Sequence, residues 1–470
     1  MSTTDAPPPG PAVAAPRADP APAPTVAART GPVSTAVPGP SEPAPDAAGS
    51  AARRLRHNAD FRRFWFGEGV SLFGSQVTAL ALPLTAVLTL GAGPEELGVL
   101  RFLQLVPFLV FALPFGVWVD RSRRRPVLIG SNLARLVLIG AVPLLAAVDQ
   151  LHLWVLFAVT FGVGVATVLF DVCWMSYVPV LVRDPEQLVM ANGKLGATSS
   201  AADAAGPSLG GALVGALTAP VTLALDALSY LVSMIALALI RTREPVPTAP
   251  ARRRRLSAEL GEGLRWVVGD GYLRAIALVG AACNFVTAGV QSLFLIYVVS
   301  DQGLDPALLG LVFSVGAVGG IVGALVTSRL LGRFRLGRVY VGSLAVAFAA
   351  CALIPVVGGT PPVRVALYTA LYFLMFGGVT TGNIVVLSLR QTITPRALLG
   401  RMNAAMRMLM VGFGAIGAPV GGVLGGAIGV REALFAMSAA AIVMLVPILL
   451  SPVGRLREMP PPAVEPVEAA

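Results

Sequence analysis

Five ionisable side chains stand inside long apolar runs of this chain: Glu68, Arg135, Asp171, Asp203 and Asp226. Charge at such a depth is costly and is kept where it pairs, binds or carries a proton. Asp203 lies near the middle of its run and one turn before a Gly-Pro step, which makes it the leading proton- or substrate-binding carboxylate. Arg135 and Asp171 fall at similar depth in neighbouring runs and are expected either to couple transport or to form a structural ion pair. Glu68 is placed near the inner interface, within reach of water. Asp226, soon after Pro220, is placed nearer the outer face in a structural role. Asn284, Thr287 and Gln291 recur at steps of three and four. They share one helix face and are expected to line a cavity or to join neighbouring helices by hydrogen bonds.

No residue set points to catalysis. His57 and His152 with the scattered Cys173, Cys283 and Cys351 suit neither a zinc site nor a disulfide framework. The sole lysine, Lys194, lies in Asn-Gly-Lys-Leu, so no phosphate-binding loop with its lysine can be written and the chain is no P-loop ATPase. Neither a metal nor a cofactor is expected, and a proton gradient is the expected source of energy.

These side chains must be positioned within a membrane. Of 470 residues, 55% are hydrophobic and 13% charged, about half the charge of an ordinary soluble chain. The net charge of +10 would suggest nucleic acid in a soluble protein. Here the arginines fall between apolar runs, as membrane topology requires, so a lipid bilayer and a small molecule are the expected partners and nucleic acid is not. Runs of about 20 residues, enough to cross the hydrocarbon core, recur twelve times. They lie at 64–90, 97–119, 127–148, 152–181, 194–218, 221–240, 273–299, 306–331, 339–357, 363–389, 402–428 and 433–451. The expected class is all-α integral membrane.

Arginines set the orientation. Arg53, Arg54, Arg56, Arg62 and Arg63 precede the first span, and further clusters, among them Arg252 to Arg255, follow at every second break. The alternate breaks offer only Arg101, Arg364 and Arg431. Both termini are therefore expected in the cytoplasm. Residues 1–52, rich in Pro and Ala, read as a disordered cytoplasmic tail without a signal peptide. The break at 241–272 separates two six-helix bundles, 53–240 and 273–451, before a cytoplasmic tail at 452–470. Within that break, Leu256 to Val268 is amphipathic, suited either to the inner leaflet or to a solvated linker.

A repeat supports the division. Asp184-Pro185, Ala191-Asn192, Gly206-Pro207 and Gly210-Gly211 return as Thr394-Pro395, Met402-Asn403, Ala418-Pro419 and Gly421-Gly422, about 210 residues later. Duplicated bundles of this kind rock about a central site.

The loop after the second span reads Gly116-Val-Trp-Val-Asp120-Arg121-Ser-Arg123-Arg124-Arg125. Its arginines hold the loop inside, whereas Gly116 would allow a neighbouring helix to approach and Asp120 could face that helix's N-terminus. On Gly116, Asp120, Arg121, Arg124 and Arg125 the chain resembles the major facilitator superfamily, with Arg123 replacing the usual glycine. The resemblance implies a cytoplasmic latch, with Asp120 near the start of span eleven. Gly206, Pro207, Gly210 and Gly211 resemble the fifth-helix motif of that superfamily's exporters, with Gly193 at its first position and Ala202 in place of a second glycine.

Phe61-Arg-Arg-Phe-Trp65, Phe170-Asp171 and Leu225-Asp-Ala-Leu-Ser-Tyr230 are similar to the bacterial branch of macrolide-efflux and enterobactin-export carriers. The resemblance implies a monomeric, multi-pass secondary transporter of the bacterial inner membrane, exporting small lipophilic molecules in exchange for protons. It also implies a cavity lined by spans one, four, five, seven, eight, ten and eleven, and a mostly neutral, apolar one would suit lipophilic drugs or secondary metabolites. A proton-driven importer or a facilitator would share the fold. A membrane receptor or enzyme would need a catalytic cluster or a soluble domain.

Overall fold

A computed structural model describes residues 55, 57–244, 256–395 and 398–461. The proline-rich tail, Arg53, Arg54 and Arg56, the run Arg252 to Arg255, Arg396 and the last residues of the C-terminal tail lie outside the described residues.

The first half holds α1 (Ala59–Leu84, prolonged by a π turn at Thr85–Thr89), α2 (Pro94–Asp120), α3 (Arg124–Ala147), α4 (Leu153–Leu181), α5 (Pro185–Ala216) and α6 (Ala219–Ala238). A shorter α7 (Leu256–Gly269) follows. The second half holds α8 (Gly271–Ile296, with a π turn at Tyr297–Asp301), α9 (Pro306–Arg333), α10 (Leu336–Leu353), α11 (Pro361–Ile393), α12 (Leu399–Ile428) and α13 (Val430–Val443), which runs on into α14 (Leu445–Leu450). No strand occurs among the described residues.

The helices start where local chemistry demands. Asn58 accepts the Phe61 amide at 3.0 Å and begins α1. Asp184, Thr218, Asp270 and Asp305 cap α5, α6, α8 and α9 through their side chains, as N-cap residues do. Proline follows at the first or second position of α2, α5, α6, α9 and α11, where its missing N–H costs nothing.

Eleven helical segments among the described residues are long and apolar enough to cross a membrane. The remaining long helix, α5, has 32 residues but is rich in Gly, Ala and Ser, because it packs on helices to both sides. It also begins at Pro185, nine residues before the span expected from hydropathy.

Helix pairing repeats. In the first half α1 packs on α5 and α6, α3 on α4 and α6, and α2 on α4. In the second half α8 packs on α12 and α13, α10 on α11 and α13, and α9 on α11. The halves meet through α2 with α12 and α5 with α9.

The two cores differ in chemistry. In the second half Phe294, Phe313, Tyr368 and Tyr372 form an aromatic cluster, with Phe294 and Tyr372 ring centroids 4.7 Å apart. The first half buries Glu68, Asn132, Arg135 and Asp226 instead.

Candidate substrate cavity and gates

The halves are joined at the arginine-poor end. Gly210 packs on α1, where a Cβ would lie 3.2 Å from the Val77 Cα, and Gly211 packs on α9, where a Cβ would lie 3.1 Å from the Ala307 Cα. The repeat does the same on the other side. A Cβ on Gly421 would lie 3.0 Å from the Gly289 Cα of α8, and one on Gly422 would lie 3.2 Å from the Glu95 Cα of α2. Gly98 of α2 is pressed on Ala418 and Pro419 of α12. Each Gly-Gly pair thus binds its own bundle with the first glycine and the opposite bundle with the second. Next to Pro207, the Ser208 amide donates across the interface to Ser314 Oγ at 2.8 Å.

The arginine-rich end differs. Side chains at Gly116, Gly193, Gly196 and Gly332 would meet open space. Asp120 and Arg121 are exposed, and among the described residues no hydrogen bond or ion pair involves the Asp120 carboxylate. The close helix approach expected at Gly116 is not made in this conformation.

Between the halves lies a cavity of about 750 Å³, lined from α1, α2, α5, α8, α9 and α11. This corrects the expected lining set. α2 takes part, while α4 and α12 supply none of its lining residues, because α12 spends its glycine face on the seal. Asp203 and Gln291 both line the cavity. Asp203 accepts a hydrogen bond from Gln76 Nε2 and is exposed to the cavity. Asn284, on the same helix as Gln291, instead donates to the Gly280 carbonyl of its own helix at 2.8 Å, and Thr287 is half-buried.

Sequence reasoning missed Arg101 as a cavity residue by placing it in an outer loop. It lines the cavity beside Gln104 and donates to Gln104 Oε1 at 2.6 Å. The signal was its position: Arg101 stands seven residues inside a helix that starts at Pro94. Among the described residues, Arg101 and Asp203 are thus the two ionisable side chains of a lining that is otherwise uncharged.

The other intramembrane charges are in the first bundle. Arg135 and Asp171 do not form the ion pair considered for them. Arg135 is buried with its guanidinium 4.4 Å from the Phe170 ring centroid and 5.4 Å from that of Tyr230. Its Nη2 donates to the Thr167 carbonyl at 3.3 Å. It lies within electrostatic reach of Glu68, Asp171 and Asp226, and Asp171 also lies within reach of Arg407 in the other half. Glu68 is buried at 6% exposure, with Oε2 unbonded, and is not at a watered interface as expected. Asp226 is fully buried, accepting from Thr78 Oγ1 at 2.5 Å and Ser229 Oγ at 2.8 Å.

The arginines of the latch motif serve the first bundle itself. Arg125 Nε donates to the Leu237 carbonyl at 2.8 Å and Nη2 to the Ala238 carbonyl at 2.5 Å, satisfying the open carbonyls at the end of α6. The Arg124 and Arg125 amides in turn each donate to the Glu244 carboxylate at 2.6 Å. Asp60 accepts from the Arg241 and Thr242 amides at 3.1 and 2.8 Å.

The amphipathic segment is the helix α7, and it docks on the start of α12. Gly263 meets the Arg401 backbone, and Glu262 pairs with Arg401 at 2.8 Å. The C-terminal segment folds back too, its Leu456 carbonyl accepting the Gly337 amide of α10 at 2.9 Å.

Two duplicated six-helix halves, closed at one end around a central cavity, define a helical membrane carrier. The pattern of the Major Facilitator Superfamily matches residues 64–415, and the chain belongs to that family. It is 27% identical over 400 residues to the multidrug efflux pump Tap of Mycolicibacterium fortuitum, covering 82% of this chain and 93% of the pump. It is 26% identical over 412 residues to the enterobactin exporter EntS of Salmonella typhimurium, covering 86% of this chain and 94% of the exporter. Among solved structures it is similar to a bacterial homologue of the iron transporter ferroportin in an inward-facing state. That likeness has a TM-score of 0.66 at 17% identity, covering 84% of this chain and 98% of the homologue. The protein is a multi-pass membrane transporter, not an enzyme.

Proposed function

We propose that this transporter is a proton-coupled exporter of small lipophilic molecules, acting as a monomer in the bacterial inner membrane by alternating access. The observation that carries the proposal is the cavity sealed at the arginine-poor end by Gly98, Gly211 and Gly422, while Gly116 of the latch motif at the opposite end faces open space. With the arginine-rich end in the cytoplasm, as positive-inside bias favours, this is the conformation that admits cargo from inside. The naming of the relatives Tap and EntS as an efflux pump and an exporter supports the direction.

Asp203 is the carboxylate placed to exchange a proton, because it is accessible from the cavity and bonded to neutral Gln76. A membrane potential supplies about 2.3 kcal/mol per charge per 100 mV, enough to drive a two-state carrier through its cycle.

Energised everted vesicles carrying the protein should take up a lipophilic substrate and release protons as they do so. Asp203→Asn should keep substrate binding and lose the proton release. Uptake by whole cells in place of depletion would establish the runner-up, a proton-driven importer, and full coupled transport by Asp203→Asn would remove that residue from the role.

A further inference from the structure

The cavity is charged asymmetrically along its depth. Arg101 stands one turn beyond Gly98, which is pressed on the α12 backbone, so its guanidinium lies just inside the sealed end. A guanidinium offers five N–H donors and cannot give up its proton. Here the Arg101 side chain is bonded to one neutral acceptor, Gln104 Oε1, three residues along the same helix. Among the described residues no carboxylate lies within ion-pair distance of it. The cavity's own carboxylate, Asp203, is held by Gln76 on α1. The unpaired charge at the sealed end is therefore positive.

Such a charge, about 10 Å along the helix from Pro94 at 1.5 Å per residue, is too costly at membrane depth to serve only as a topological marker. A marker would snorkel to the interface, yet this side chain turns into the cavity. Its planar fork matches a carboxylate or similar oxyanion bidentately. Leu97, Leu100, Leu295, Phe313 and Phe376, which line the same cavity, offer apolar surface, and the volume is that of a site for a drug-sized molecule.

We propose that the transported molecule is an amphiphilic anion, whose acidic group docks on Arg101 at the sealed end while its apolar body lies against α8, α9 and α11. The proposal rests on the cavity being the transport site, as above. It makes Arg101 the specificity-determining residue, and Gln104 the group that orients its guanidinium.

The test uses dansyl-undecanoate and its carboxamide, which differ only in charge, with the full-length protein in lipid nanodiscs and dansyl fluorescence as the readout. Wild type should bind the carboxylate at least about tenfold more tightly than the carboxamide, the gain of a charge-assisted pair over a neutral one. Arg101→Gln should erase the difference by weakening the carboxylate alone, with carboxamide binding reporting an intact cavity. Gln104→Glu, which supplies Arg101 with an internal carboxylate and leaves the arginine in place, should erase it as well. Equal binding of the two probes by wild type, no binding of the carboxylate, or a preference that survives in either variant overturns the proposal. Transport in everted vesicles separates the two claims. Energised movement of the carboxamide with no anion preference would sink the anion site and leave the exporter standing. Arg101-dependent binding without energised movement of either probe would do the reverse.

Discussion

Gly211 in α5 lies against Ala307 in the first turn of α9, so closely that a Cβ on the glycine would stand 3.1 Å from the Ala307 Cα. Gly422 in α12 stands in the same relation to Glu95 in the first turn of α2, at 3.2 Å. The duplicated glycine pairs are thus the two halves of one gate. Gly211→Val should overpack that contact by about 1–3 kcal/mol, shifting the carrier toward the state open at the arginine-poor end by roughly five- to 150-fold. Spin labels at Leu217 and Leu308, after replacement of the three native cysteines, report the opening as a longer distance by electron double resonance. Gly422→Val should open the same end. An unchanged distance distribution in both variants would refute the gate.

Glu244 caps α3 from the far side of α6, taking two amide protons with one carboxylate. Loss of an N-cap costs about 0.5–2 kcal/mol, and the carboxylate also meets the positive helix end. Glu244→Ala should lower the thermal unfolding midpoint by a few degrees, and Glu244→Gln by less, since its amide keeps one acceptor. Scanning fluorimetry in detergent checks this, and a midpoint for Glu244→Ala equal to wild type would contradict it.

Thr78 donates its hydroxyl to Asp226 in the closed core between α1 and α6. Thr78→Val keeps the shape and strands a buried acceptor, at about 1–3 kcal/mol. Replacing both partners with apolar side chains, in Thr78→Val with Asp226→Leu, should recover at least half of that loss in a denaturant titration. A double variant less stable than Thr78→Val would show that the carboxylate's other bond, from Ser229 Oγ at 2.8 Å, outweighs the one from Thr78.

The docking of α7 on α12 should depend more on Gly263 than on the Glu262–Arg401 ion pair. The pair is partly exposed, at 24% and 44% for the two side chains, and exposed pairs contribute about 0.2–1 kcal/mol. Gly263, by contrast, has the Arg401 backbone where a side chain would be. Hydrogen exchange over Leu264 to Val267 should rise sharply in Gly263→Leu and little in Arg401→Ala. Equal protection loss in the two variants would show that the ion pair holds the helix.

The fold was legible because its signals are local and repeated. Runs of membrane length, arginines at alternate breaks and a Gly-Pro-Gly-Gly cluster that returns near residue 420 are properties of composition and spacing. Even α5, which falls short of the hydropathy of the other spans, was read among the twelve runs at 194–218, and the repeat marked it as the counterpart of α12.

By itself, then, the sequence determined a twelve-span carrier in two halves, its family, and the glycine pairs that repeat between them. The tertiary structure decided which charges meet. Arg135 turned to Phe170 and Tyr230 rather than to Asp171, Glu68 sank into the bundle, and Arg101 left its supposed loop for the cavity. Depth along a helix follows from counting residues, whereas the face a side chain presents, and what waits opposite, depends on helix rotation and crossing. Those are set by packing between segments hundreds of residues apart, and no local pattern records them.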